Sequence, residues 1–123
     1  MSGMTDINGM DELNNFIQKN TDKVILLYFG ATWCGPCKKL KQDFANPKFM
    51  KNFPNMVIGH IDIDENGEIS EEYNVQNLPT QIFIGLKKTE NENNIEYNVV
   101  ELGRIVGYDP IKLHSEYKYL LKI

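Results

Sequence analysis

Residues 24–44 constrain this chain more than any other stretch. Val24-Ile25-Leu26-Leu27-Tyr28-Phe29-Gly30 is short, β-rich and almost wholly apolar. That is the pattern of a central strand in a sheet covered on both faces. After Ala31 and Thr32 comes Trp33-Cys34-Gly35-Pro36-Cys37, and then Lys38, Lys39, Leu40, Lys41 and Phe44, which read as a helix ending near Ala45. The two sulfurs therefore belong at a strand-to-helix turn, with Cys34 at or near the helix N-terminus. Pro36 suits the first helical turn, where its missing N–H costs nothing. A helix N-terminus offers unpaired N–H groups and partial positive charge, which favour a thiolate over a thiol. A thiolate attacks disulfides, and a second cysteine three residues on can displace the first from the resulting mixed disulfide.

Met10, Leu13, Phe16 and Ile17 recur at helical spacing, with Asn8 as the expected cap, Asp11 in the first turn and an end near Asn20. Asn46-Pro47 interrupts the helix that follows the cysteines, and a short turn runs to Lys51 or Asn52. Val57 to Asp62 reads as a strand, Asp64-Glu65-Asn66-Gly67 as a turn and Glu68 to Tyr73 as a short helix. Gln81 to Leu86 and Val99 to Val106 are expected to pair antiparallel, separated by the polar stretch Lys87 to Asn94, which has no apolar period. Pro110 opens a last helix with Ile111, Leu113, Tyr117, Leu120 and Leu121 as its apolar stripe. The order is a leading helix and then β-α-β-α-β-β-α, which predicts an α/β fold: one central mixed sheet with helices on both faces. No repeat or linker divides residues 1–123, so a single domain is expected.

Composition narrows the function classes. With 123 residues the chain is large enough for a core without staples. Net charge is −4 with a single arginine, which argues against a nucleic-acid surface; Lys38, Lys39 and Lys41 read as a solvated helix face. Both cysteines of the chain lie in the one motif, unlike the dispersed cysteines of a secreted disulfide scaffold. No apolar run reaches membrane-spanning length, and Met1 to Met10 does not read as a signal peptide, so a reducing cytoplasm is the expected compartment. A zinc half-site would need two further ligands, and His60 and His114 fit no finger spacing, so no metal is expected.

Trp33-Cys34-Gly35-Pro36-Cys37-Lys38 resembles the active site of the thioredoxin family. The resemblance extends from about residue 10 to residue 121. It includes Asn77-Leu78-Pro79-Thr80, similar to the family loop whose proline is cis, and Gly107 after Val106, similar to a third substrate-facing loop. It implies the thioredoxin fold and a dithiol–disulfide oxidoreductase that reduces disulfides in target proteins, with Cys34 as nucleophile and Cys37 as resolving thiol. Gly35-Pro36 is the family's reducing-type dipeptide. Trp33, Leu78, Pro79, Val106 and Gly107 would form an apolar patch around the sulfur, where the Leu78 backbone pairs an extended substrate segment. The resemblance further implies a monomer without a cofactor, recharged by an NADPH-dependent flavoprotein reductase. Two other readings stay open: an adaptor or subunit whose dithiol is slow or idle, and a redoxin coupled to a peroxidase or a small dithiol. Asp64 matches a family position near a turn and is assigned no chemistry.

The chain departs from the family at four places. Tyr28 stands where most members carry a buried aspartate held to accept the resolving cysteine's proton. A phenol that ordinarily titrates near 10 is a poor base at neutral pH. His60 stands where the family has the lysine facing that aspartate, and His60 and Tyr28 are the candidates for proton transfer. An imidazole suits the role, so either His60 takes the Cys37 proton directly or through water, or it is a half-buried histidine that fills space beside Tyr28. Gln42 replaces a kinking proline, which predicts a straighter helix up to Asn46-Pro47. The hairpin across Lys87 to Tyr97 is several residues longer than usual, a cheap kind of extension.

Overall fold

A computed structural model describes residues 4–122. The apolar run becomes β2 (Val24–Gly30), the middle strand of five. The sheet order is β1 (Met4–Asp6), β3 (Met56–Asp62), β2, β4 (Thr80–Glu90), β5 (Ile95–Val106). β3 runs parallel to both β1 and β2, whereas β4 is antiparallel to β2 and β5. This is the mixed sheet the element order predicts.

Side chains alternate across a strand, and β2 uses both faces. Ile25, Leu27 and Phe29 pack with Leu13, Phe16 and Ile17 of α1 (Met10–Lys19) and Ile69 of α4 (Gly67–Glu72). Leu26 and Tyr28 point the other way. They pack with Leu40 and Phe44 of α2 (Gly35–Phe44), with Phe53 beyond α3 (Pro47–Met50), and with Leu113 and Tyr117 of α5 (Pro110–Leu120). Every β2 residue from Ile25 on is buried. Burying one such side chain is worth about 1.5–3 kcal/mol relative to exposure, so the strand that delivers the cysteines is among the best anchored. Gly59 lets α1 approach closely: a Cβ there would stand 2.5 Å from Ile7 Cδ1 and 3.0 Å from Phe16 Cε2.

Four local expectations are corrected. A strand, β1, precedes the first helix; its residues Met4, Thr5 and Asp6 show no apolar alternation, and it exists because the β3 edge pairs it. Gly9, at φ 89°, caps α1 in place of Asn8, and its N–H donates to Asn66 Oδ1 at 2.8 Å. The stretch from Lys87 is a β-ribbon: β4 continues to Glu90, β5 begins at Ile95, and Asn91 and Asn94 close the turn. Backbone pairing alone sustains a ribbon whose faces are both exposed, so no burial pattern is imprinted on it. On α5, Leu113 and Tyr117 are buried, but Ile111 and Leu121 face solvent. Helix α2 runs past Gln42 to Phe44 without interruption, and Pro47 opens α3 under an Asn46 cap.

Candidate active site

The end of β2 sets the turn. The Gly30 carbonyl accepts from Ile63 N–H at 3.0 Å, and the Ala31 carbonyl from Cys34 N–H at 3.2 Å. Cys34 is the N-cap of α2, extended at φ −93° and ψ 113°, and its Sγ accepts the backbone N–H of Cys37 at 3.2 Å. Pro36 occupies the first turn, where no N–H is needed. Cys34 and Cys37 form a disulfide with Cα atoms 5.2 Å apart. When that bond is reduced, the cap places a backbone donor and the helix N-terminus at Cys34 Sγ, an arrangement that stabilises sulfur as the thiolate. Both cysteines are buried, Cys34 at 7% exposed and Cys37 at 2%, so Cys34 is the more accessible of the two.

The two cysteines share a small apolar cluster with Ala31, Ile63 and Leu78 but border different spaces. Cys34 lines an open groove of about 390 Å³ with Trp33, Pro36, Ile63, Val75 and Leu78. The Leu78–Pro79 bond is cis. Pro79 is buried and its carbonyl accepts from Gly107 N–H at 2.7 Å, which ties the proline loop to the loop after β5. Gly107 sits at φ 92°, a backbone state that disfavours other residues. Its carbonyl accepts from Gln81 Nε2 at 3.2 Å. Tyr108, next along, donates to Asp43 Oδ2 at 2.5 Å, which raises the Tyr108 pKa to about 12 and fastens this loop to α2.

Cys37 borders a smaller cavity of about 180 Å³, shared with Tyr28, Lys38, Lys41, His60 and Asp62. Tyr28 is 1% exposed, and its hydroxyl donates to the Cys37 carbonyl at 2.6 Å. Burial raises its pKa to about 12, so it stays protonated at neutral pH and acts as a donor. His60 stacks on the Tyr28 ring with centroids 4.9 Å apart, and its Nδ1 is 2.8 Å from Asp6 Oδ1. Among the described residues, no three His, Cys, Asp or Glu side chains converge as metal ligands.

Comparison with known proteins agrees with this geometry. The Thioredoxin family model matches residues 6–102. This chain belongs to the thioredoxin family. It is 37% identical over 112 residues to a thioredoxin of Coprinus comatus, covering 89% of this chain and 90% of that one. It is 36% identical over 91 residues to a thioredoxin H-type of Oryza sativa subsp. indica, covering 66% and 73%. The thioredoxin structure from Trypanosoma brucei brucei superposes with a TM-score of 0.74 at 26% identity, covering 98% of this chain and 92% of that one. The fold is the thioredoxin fold, and the chain is a thiol–disulfide oxidoreductase, a disulfide reductase acting on disulfide substrates. No helix among the described residues is long and apolar enough to cross a membrane.

Within this thioredoxin-family chain, the residues singled out from sequence fall into two groups. Trp33, Cys34, Pro36 and Leu78 meet in the groove; Pro79 and Gly107 are bonded to each other, and Val106 is exposed beside them without lining the groove. Tyr28, Cys37 and His60 meet in the cavity. Sequence reasoning gave no role to four participants. Asp64 Oδ2 accepts from Trp33 Nε1 at 2.8 Å and so orients the indole. Lys38 and Lys41 line the cavity at Cys37 while Lys39 lies 5.0 Å over the Tyr108 ring, so the lysine cluster is divided between two environments. Asp6 meets His60 across 54 residues of sequence through the unforeseen strand β1. The helical spacing of Lys38 and Lys41 was a usable signal for their shared face; nothing local to Asp6 pointed to His60.

Proposed function

We propose that Cys34 is the attacking thiolate and Cys37 the resolving thiol of a thioredoxin that reduces disulfides in other proteins. The observation that carries this is the cap: Cys34 Sγ accepts the Cys37 N–H at the start of α2, and Cys34 is the more exposed sulfur. An extended substrate segment lies along Trp33, Leu78, Pro79, Val106 and Gly107, with Gly35 and Pro36 shaping the approach. His60 accepts the proton that Cys37 loses during resolution. Tyr28 does not, because its hydroxyl is a donor committed to the Cys37 carbonyl. The chain acts as one domain and as a monomer, in a reducing cytoplasm, where it contributes to electron transport and redox homeostasis. An NADPH-dependent flavoprotein reductase recharges it, and it needs no cofactor of its own.

Reduction of insulin disulfides by the pre-reduced protein, with Cys34→Ser as control, tests the central assignment. Fast turnover lost in the control supports it. No turnover from a protein whose two thiols still titrate overturns it in favour of an adaptor. NADPH consumption with a flavoprotein thioredoxin reductase, against glutathione, tests the recharging route. His60→Gln should slow resolution of a mixed disulfide about tenfold or more without slowing attack by Cys34, in keeping with the usual worth of a general base. An unchanged resolution phase removes His60 from the mechanism.

A further inference from the structure

Asp6 ends β1 at the edge of the sheet, in register with His60 of β3. Its Oδ1 stands 2.8 Å from His60 Nδ1. The Tyr28 ring lies on the imidazole at a 27° interplanar angle. One contact at an edge and one on a face define the ring's orientation. A carboxylate only accepts, so the nitrogen beside it carries hydrogen; in a neutral imidazole the other nitrogen, Nε2, then keeps its lone pair. Nε2 has no hydrogen-bond partner among the described residues, and the ring lines the same cavity as Cys37. Of the other charged or titratable groups lining it, Lys38 and Lys41 are cations and Tyr28 donates to the Cys37 carbonyl. Asp62 accepts the Asp64 N–H on Oδ1 at 3.0 Å and keeps Oδ2 free, but a carboxylate that ordinarily titrates near 4 is a weaker base than an imidazole.

We propose that Asp6 is a positioning residue for the resolving half-reaction, holding His60 as the Nδ1–H tautomer with Nε2 free to take the Cys37 proton. The proposal rests on the assignment of His60 made above. In the step itself, the Cys37 proton passes to Nε2, directly or through a water in the cavity. Cys37 Sγ then bonds to Cys34 Sγ, and the bond between Cys34 and the substrate sulfur breaks. The electron pair leaves on that substrate sulfur, which takes a proton from solvent, and His60 returns its own proton to solvent. Both cysteines end oxidised and the substrate disulfide reduced to two thiols. A base oriented by a third group is a recurrent solution for thiol and hydroxyl chemistry.

Stopped-flow mixing of the reduced protein with Ellman's reagent separates the two steps, since attack and displacement each release one chromophore. Nitrogen-15 NMR of the His60 ring reports the tautomer. Asp6→Ala is expected to slow displacement about threefold to tenfold, less than the roughly 10–100-fold cost of losing a buried orienting partner because the Asp6 side chain is 76% exposed, with attack unchanged. The ring is expected to shift toward Nε2–H in that variant. Asp6→Asn adds an amide N–H donor that can pair with a bare Nδ1, so it no longer selects the tautomer and should slow displacement as Asp6→Ala does. Asp6→Glu keeps a carboxylate that only accepts and should retain the Nδ1–H tautomer and most of the rate. An unchanged tautomer or an unchanged displacement rate in Asp6→Ala, or slowing in Asp6→Glu with the Nδ1–H tautomer retained, overturns the proposal. If His60→Gln slows displacement and Asp6→Ala does not, only the role of Asp6 falls. If His60→Gln has no effect, the His60 assignment falls and takes this one with it.

Discussion

The two cysteines lie three residues apart and share an apolar cluster with Ala31, Ile63 and Leu78, yet each borders a different space. Cys34 opens on a groove whose walls are mainly apolar side chains from three loops. Cys37 borders a cavity that Tyr28, Lys38, Lys41, His60 and Asp62 line along with Ala31 and Thr32, so titratable side chains reach it although much of its wall is carbon. The first environment suits docking of another chain, since apolar walls gain by excluding water. The second suits handling a proton, since polar groups there can donate, accept or polarise. Attack needs a substrate to be held; displacement needs a proton to leave. In the mechanism proposed above, the groove serves the first demand and the cavity the second.

The sharpest separation comes from serine substitutions. Cys34→Ser should reduce insulin turnover to the uncatalysed rate, a loss of about a thousandfold or more, because no alternative nucleophile is capped at the helix start. Cys37→Ser should instead complete attack and stop, accumulating one equivalent of mixed disulfide detectable by mass spectrometry. If Cys37→Ser fails to trap substrate while Cys34→Ser does, the roles are reversed and the comparison collapses.

Next in size is the groove wall. Trp33 is 67% exposed, with its indole N–H held by Asp64, so it is presented and not packed away. Trp33→Ala should lower kcat/KM for insulin about tenfold, a common cost for an aromatic anchor at a docking surface. Its reaction with Ellman's reagent, which buries little of the groove, should change by about twofold at most. Asp64→Ala, which only releases the indole, should act in the same direction and less. An effect confined to the displacement phase would show that the groove does not work as a separate recognition face.

Most of the scaffold was legible because its signals are local. The apolar run of β2 requires cover on both faces, and Trp33-Cys34-Gly35-Pro36-Cys37 before a helical run places a cysteine at a helix start, so the central strand and the N-cap geometry follow from short stretches of chain, whereas the groove loops at Leu78-Pro79 and Gly107 were legible only through the family resemblance. The illegible parts depend on partners far away in sequence. β1 has no apolar alternation and is defined by pairing with Ile58 to His60. Hence the Asp6–His60 contact was hidden while Tyr28 and His60 were readable as departures from a family pattern. The ribbon Lys87–Tyr97 was hidden for a different reason. It buries no face, so only the backbone ladder records it.

The smallest expected effect tests whether Tyr28 is a tether or a participant in proton transfer. Its hydroxyl holds the Cys37 carbonyl in the first turn of α2, and no ionised partner assists it. Tyr28→Phe removes that hydrogen bond and should destabilise the oxidised protein by about 1 kcal/mol at neutral pH. The displacement phase should stay within about twofold of wild type, because a phenol titrating at about 12 supplies no base at pH 7. The alkaline behaviour checks the sign. A Tyr28 pKa raised from 10.0 to about 12 means that the unfolded chain releases this proton first. The stability this group contributes is complete below pH 10 and drains away as pH rises toward 12. Tyr28→Phe lacks that drain, so urea denaturation should find the gap between variant and wild type narrower at about pH 11 than at neutral pH. A gap that widens there would mean the phenolate is stabilised in the folded protein, and Tyr28 would return as a candidate for the proton that Cys37 gives up.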